Sequence, residues 1–203
     1  MYNPEIHHRN SIRLRGFDYS NNGAYFVTIC AQGRECLFGG ICQGEMILNE
    51  AGRMVTQIWT TLSAKFPEII LGEFVVMPNH FHGIIVITDV NAHGCNKPDV
   101  VGALLAAPAV NAGGRNKIAV IAENKGAASS APTLGKIMRT FKSISAIEVN
   151  RILDRQGQPL WQRNYYERII RDENEFASIS EYIALNPISW AEDKENPDLP
   201  KCE

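Results

Sequence analysis

Residues 24–30, AYFVTIC, are almost all apolar, β-branched or aromatic, and the turn-forming Ser20-Asn21-Asn22-Gly23 precedes them. The run predicts a buried strand. Two short stretches, 37–41 and 45–48, flank Cys42-Gln43-Gly44 and predict a hairpin leading to Asn49, a good helix N-cap. Over 50–64 the apolar residues Val55, Ile58, Trp59 and Leu62 recur at helical spacing, and Pro67 stops the helix soon afterwards. Segments 68–77 (EIILGEFVVM) and 81–88 (FHGIIVIT) predict two further strands joined by a turn at Pro78-Asn79.

After residue 88 the pattern lapses. From 89 to 132 Ala, Gly, Asn and Val predominate without a sustained period, which predicts a flexible insertion. Periodicity returns at Thr133, which can cap a helix to about residue 152 with Leu134, Ile137, Met138, Phe141 and Ile144 or Ser145 on its apolar face. A turn at 157–159 precedes a short strand at 165–171. Asp172 then caps a last helix in which Phe176, Ile179 and Ile183 recur at helical spacing, and Pro187 ends it near Asn186.

Setting the early hairpin aside, the order is strand, helix, strand, strand, helix, strand, helix, a split βαβ plan with one helix added. The expected fold is α+β: a ferredoxin-like antiparallel sheet with helices on one face and an added C-terminal helix carrying Tyr182. One domain is expected in two pieces, 1–88 and 133–190, separated by the insertion and followed by an acidic tail at 191–203 that faces solvent.

Composition narrows the class. The chain has 203 residues, 45% of them hydrophobic, enough for one sizeable core without disulfide staples. Its five cysteines are odd in number and form no C-x-x-C pair, so reduced thiols are expected and a cysteine-based zinc site is not. Residues 1–15 are polar and basic, and no apolar stretch approaches the roughly 20 residues of a membrane span. A cytoplasmic protein without a membrane partner is expected.

A net charge of −2 argues against a generic polyanion binder, but the average hides a split. Residues 133–171 hold eight basic side chains (Lys136, Arg139, Lys142, Arg151, Arg155, Arg163, Arg168 and Arg171) against three acidic ones, and 172–203 reverse the balance with nine acidic residues. That is the pattern of a basic face for a polyanion beside an acidic tail, or of two ordinary solvated faces.

Two constellations carry candidate chemistry. In Pro78-Asn79-His80-Phe81-His82-Gly83, strand alternation sends both imidazoles to one side and Phe81 to the other, so the pair can share a cation or simply occupy an exposed strand face. In Tyr182-Ile183-Ala184-Leu185-Asn186, the tyrosine and the amide lie one helical turn apart. An amide oxygen with two imidazoles suits Mg²⁺ or Mn²⁺ better than a closed tetrahedral zinc site. Alternatively the tyrosine edges the core and Asn186 ends the helix.

Together with GAYFVTIC (23–30), EFVVMPNHFH (73–82), LGKIMRTFKS (134–143), WQRNYYERIIR (161–171) and YIALNP (182–187), these motifs resemble the single-tyrosine HUH transposases of bacterial insertion sequences. Within them the chain is most similar to the REP-associated tyrosine transposases. The resemblance spans most of the chain but not 89–132. It implies that His80 and His82 are the HUH metal ligands, that Asn186 stands where the family has Gln or Asn as third ligand, and that Tyr182 is the nucleophile. It implies a single-stranded DNA endonuclease and strand transferase that works through a 5′-phosphotyrosine on palindromic repeat hairpins, as a monomer or homodimer. Lys136, Arg139, Lys142, Arg163 and Arg168 are the expected phosphate contacts, with Tyr165 and Tyr166 stacking on unpaired bases or packing in the core. The alternatives are a metal-dependent phosphodiesterase using activated water and a non-catalytic nucleic-acid-binding module.

Overall fold

Alternation along β1 (Gly23–Cys30) divides the fold in two. Tyr25, Val27 and Ile29 are fully buried on one face, while Phe26 belongs to a second apolar cluster on the other. A computed structural model describes residues 23–88 and 132–197. Its main sheet adds β4 (Ile69–Val76), β5 (His80–Ile87) and β6 (Tyr166–Ile170) to β1 in the order β4-β5-β1-β6, every pairing antiparallel. With the hairpin of β2 (Gly39–Cys42) and β3 (Glu45–Leu48) set aside, this is the ferredoxin-like order that the sequence predicts. The expected insertion at 89–132 lies almost wholly outside the described residues, as does the end of the acidic tail.

The first face is covered by α1 (Glu50–Thr60) and α3 (Leu134–Ile152), with the short α2 (Leu62–Lys65) between α1 and β4. Trp59 anchors this core, its ring 4.5 Å from Phe81 and 5.1 Å from Phe141. Gly83 is what lets the indole lie against β5. A Cβ there would stand 2.7 Å from Trp59 Cζ2 and 2.9 Å from Phe81. The added helix, α4 (Glu173–Leu185), covers the opposite face, where Phe176 and Ile183 bury against Phe26, Ile84 and Ile170.

The predicted caps hold: the side chains of Asn49, Thr133 and Asp172 accept from Gly52 N, Lys136 N and Glu175 N. Three boundaries move. The single helix expected over 50–64 breaks at Thr61, where the Thr60 and Thr61 hydroxyls donate back to Gln57 O and Ile58 O. The hairpin starts later, at Gly39, and turns through Gln43 and Gly44, both with positive φ, as a two-residue turn requires. The last strand begins at Tyr166, leaving Tyr165 outside it. Among the described residues no helix is long and apolar enough to cross a membrane.

Candidate active site

The β4–β5 turn places the histidines. His80 opens β5 and His82 follows on the same face, their rings 4.6 Å apart, while Phe81 points into the core between Trp59 and Phe141. Both imidazoles are buried, at 0% and 4% exposure, so they are not the exposed strand residues of the alternative reading. Each is held through Nδ1. Thr28, paired with His82 across β1–β5, brings its Oγ1 within 2.7 Å of His82 Nδ1. Asn79 Nδ2 donates to Arg34 O and Glu195 O, which turns Asn79 Oδ1 towards His80 Nδ1 at 2.9 Å. An amide oxygen only accepts, so Nδ1 carries the proton and Nε2 presents its lone pair.

On α4, Ile183 anchors the helix and its neighbours face the histidines. The Tyr182 hydroxyl lies 3.4 Å from His82 Nε2, and its ring meets Phe26 and His82 edge-on at 6.1 and 5.3 Å. Asn186, one turn on, is 3% exposed and near enough to influence the protonation of both His80 and Tyr182. Its Oδ1 is buried without a hydrogen-bond partner, and so is His80 Nε2. Thus the structure brings His80, His82, Tyr182 and Asn186 together.

The C-terminal segment completes the site and was not foreseen. A single 3-10 turn, Trp190–Glu192, sets the Trp190 ring 5.9 Å from that of His80. Asp193 Oδ2 then lies 3.9 Å from His80 Nε2, and Glu195 pairs with Arg34 at 3.0 Å. Expected to face solvent, the side chains of Asp193 and Glu195 are only 10% and 14% exposed. Trp190, a large aromatic among charges after Pro187, is the one signal in the sequence that this stretch folds back.

Burial holds His82 well below its ordinary pKa, with smaller effects of the same sign from His80 and Lys194. Burial also lowers His80, against the opposing pull of Asp193 and Glu195. The Tyr182 phenol is pushed up by burial and by the same two carboxylates, with Asn186 opposing. This corrects the expectation that basic surroundings help to ionise it: the nearest fixed charges are acidic. Two neutral imidazoles and a protonated phenol are therefore the resting state at neutral pH.

The donor set fits a hard divalent cation. Two buried Nε2 lone pairs and an unpartnered amide oxygen face one another. Among the described residues no three His, Cys, Asp or Glu side chains are placed to hold a metal together, so the third protein donor would be Asn186.

The expected DNA contacts divide between the two faces of the sheet. Lys136 and Arg139 are exposed on α3, across the sheet from His80 and His82. Lys142 Nζ is engaged by Gln162 O at 2.6 Å and Arg163 O at 2.9 Å, a tie that steadies the segment entering β6. Tyr165 packs against the core on the α3 side. Tyr166 and Arg168 lie on the histidine face, since Tyr166 pairs with Thr28 and Arg168 with Phe26; Arg168 is ion-paired to Glu175. Arg163 is exposed in the segment before β6.

Two expectations test this geometry. Below about pH 6.5 an unfolded histidine binds a proton that the buried His80 and His82 resist, so stability should be full above that pH and fall as pH drops, by up to about 1.4 kcal/mol per unit for each. Thermal melts between about pH 7.5 and 5 measure it. A flat profile would show that both rings protonate as readily folded as unfolded. Asn79→Ala should weaken Mn²⁺ binding about 10- to 100-fold in a calorimetric titration, because His80 loses the acceptor that fixes its tautomer. An unchanged affinity would place that control elsewhere.

No protein-family model matches the chain. Its fold is that of a REP-associated tyrosine transposase solved bound to a REP hairpin, with a TM-score of 0.52 over 93% of this chain and 80% of that one, at 15% identity. The nearer likeness is to a protein of Haemophilus influenzae, 40% identical over 196 residues, covering 95% of this chain and 96% of that protein. The chain belongs to the family of that protein, which is described only as an uncharacterized protein, so the likeness carries no activity.

Proposed function

We propose that this chain is a transposase-type enzyme that cuts and rejoins single-stranded DNA through a covalent link to Tyr182. The observation that carries the reading is the convergence of Tyr182 Oη on His82 Nε2 at 3.4 Å beside two buried, unpartnered donors, His80 Nε2 and Asn186 Oδ1. His80, His82 and Asn186 would hold Mg²⁺ or Mn²⁺, which when bound supplies charge to polarise a non-bridging phosphate oxygen. The imidazoles serve in their neutral form, the state that burial already favours. Tyr182 loses its proton and attacks phosphorus; the P–O3′ bond breaks, and the departing 3′-oxygen gains a proton. The 5′-phosphotyrosine conserves the phosphodiester energy, so a free 3′-hydroxyl can later displace the tyrosine without a nucleotide cofactor.

A hairpin with a single-stranded flank is the proposed substrate, supported by the REP hairpin bound to the transposase whose fold the chain shares. Incubation of the full chain with an end-labelled oligonucleotide of that kind and Mn²⁺ should give a protein-DNA adduct that survives denaturation. Cleavage without an adduct would identify a hydrolytic phosphodiesterase, and binding without cleavage a non-catalytic module.

A further inference from the structure

Strand register places one more aromatic residue beside the reacting groups. Thr28 pairs with His82 on one side and with Tyr166 on the other, so His82, Thr28 and Tyr166 form a single row across the sheet on the face that α4 covers only in part. Phe26, on the same face, lies flat against His82 with ring centroids 5.4 Å apart. It meets Tyr166 edge-on at 6.5 Å and Tyr182 edge-on at 6.1 Å. Phe26 is thus a buried spacer between two exposed rings: Tyr166 is 45% exposed and Tyr182 48%. Two ring-to-ring steps of that size amount to about the reach of one or two nucleotides of extended single strand.

An aromatic ring backed by apolar packing and open on its other side offers what an unpaired base needs for stacking. A base paired inside a duplex has its faces covered by its neighbours. Arg168, two residues along β6 on the same face, adds a cation next to the ring, although Glu175 shares it. Tyr165 has no such role, since its ring packs on the core side.

On the reading of the site given above, we propose that Tyr166 is a positioning residue: it stacks on the unpaired base one or two nucleotides from the scissile phosphate. The site thereby selects single-stranded over paired DNA at that position. The Tyr166 hydroxyl plays no part, and the ring does the holding.

The test is a set of binding isotherms for the full chain with Mn²⁺ and single-stranded oligonucleotides, intact or with one abasic position moved along the flank. Tyr166→Leu should weaken binding to the intact strand on the order of 5- to 100-fold, and Tyr166→Phe should restore it. The same loss should vanish when the base nearest the cleavage point is missing, because ring and base then no longer interact. Equal losses on intact and abasic strands, no loss at all, or failure of the full chain to bind single strands would each overturn the proposal. Adduct formation by the unsubstituted chain is scored separately, so a missing adduct would remove the strand-transfer chemistry without deciding the stacking.

Discussion

Tyr182→Phe is expected to abolish the covalent adduct, reducing its formation by at least about a thousandfold, because no other oxygen stands where the tyrosine hydroxyl meets His82. Binding of the same oligonucleotide should change by no more than about twofold, since the change removes one atom from a half-exposed side chain. The ring itself is held by Phe26 and His82, contacts that phenylalanine keeps. Tyr165→Phe and Tyr166→Phe should both retain the adduct. Tyr165 packs on the far side of the sheet, and Tyr166 has Phe26 between its ring and that of Tyr182. Denaturing gels of the three variants after incubation with labelled DNA separate the cases. An adduct that survives in Tyr182→Phe and disappears in either other variant would move the nucleophile to the start of β6.

How much of this was legible follows from the range of each interaction. The alternation of β1, the period of α3 and the caps at Asn49, Thr133 and Asp172 depend on residues within a few positions, and the structure reproduces them. The parity that sets His80 and His82 against Phe81 is also local, and so is the single turn between Tyr182 and Asn186. What the pattern lacked was direction across the sheet. The basic residues of 133–171 read as one face, yet β6 returns to the sheet on the other side of the core from the exposed face of α3, so Lys136 and Arg139 part company with Arg168. Nor does any local rule bring Glu195 to Asn79 and Arg34, more than a hundred residues away in sequence. That contact depends on where α4 ends and on Trp190 finding His80.

Substitution along His80-Phe81-His82 should separate metal binding from packing within three residues. His80→Ala and His82→Ala each remove one of few protein donors, so Mn²⁺ affinity should fall by at least about tenfold and cleavage should fall with it. Neither change should unfold the chain, because each also relieves the cost of burying a polar ring, and His80 Nε2 makes no hydrogen bond to lose. Phe81→Ala should do the reverse. Its ring is fully buried, 4.5 Å from Trp59 and 5.2 Å from Phe141, and the cavity left behind should cost about 3–5 kcal/mol. For a domain of this size that lowers the melting temperature by roughly 6–20 °C. Phe81→Leu, which refills part of the space, should recover much of the loss and provides a folded variant if alanine is not tolerated. Below its melting point either Phe81 variant should still bind Mn²⁺, since the side chain points away from both imidazoles. Calorimetric titration paired with thermal melts reads both quantities, and undiminished Mn²⁺ binding in His80→Ala and His82→Ala together would remove the metal from the mechanism.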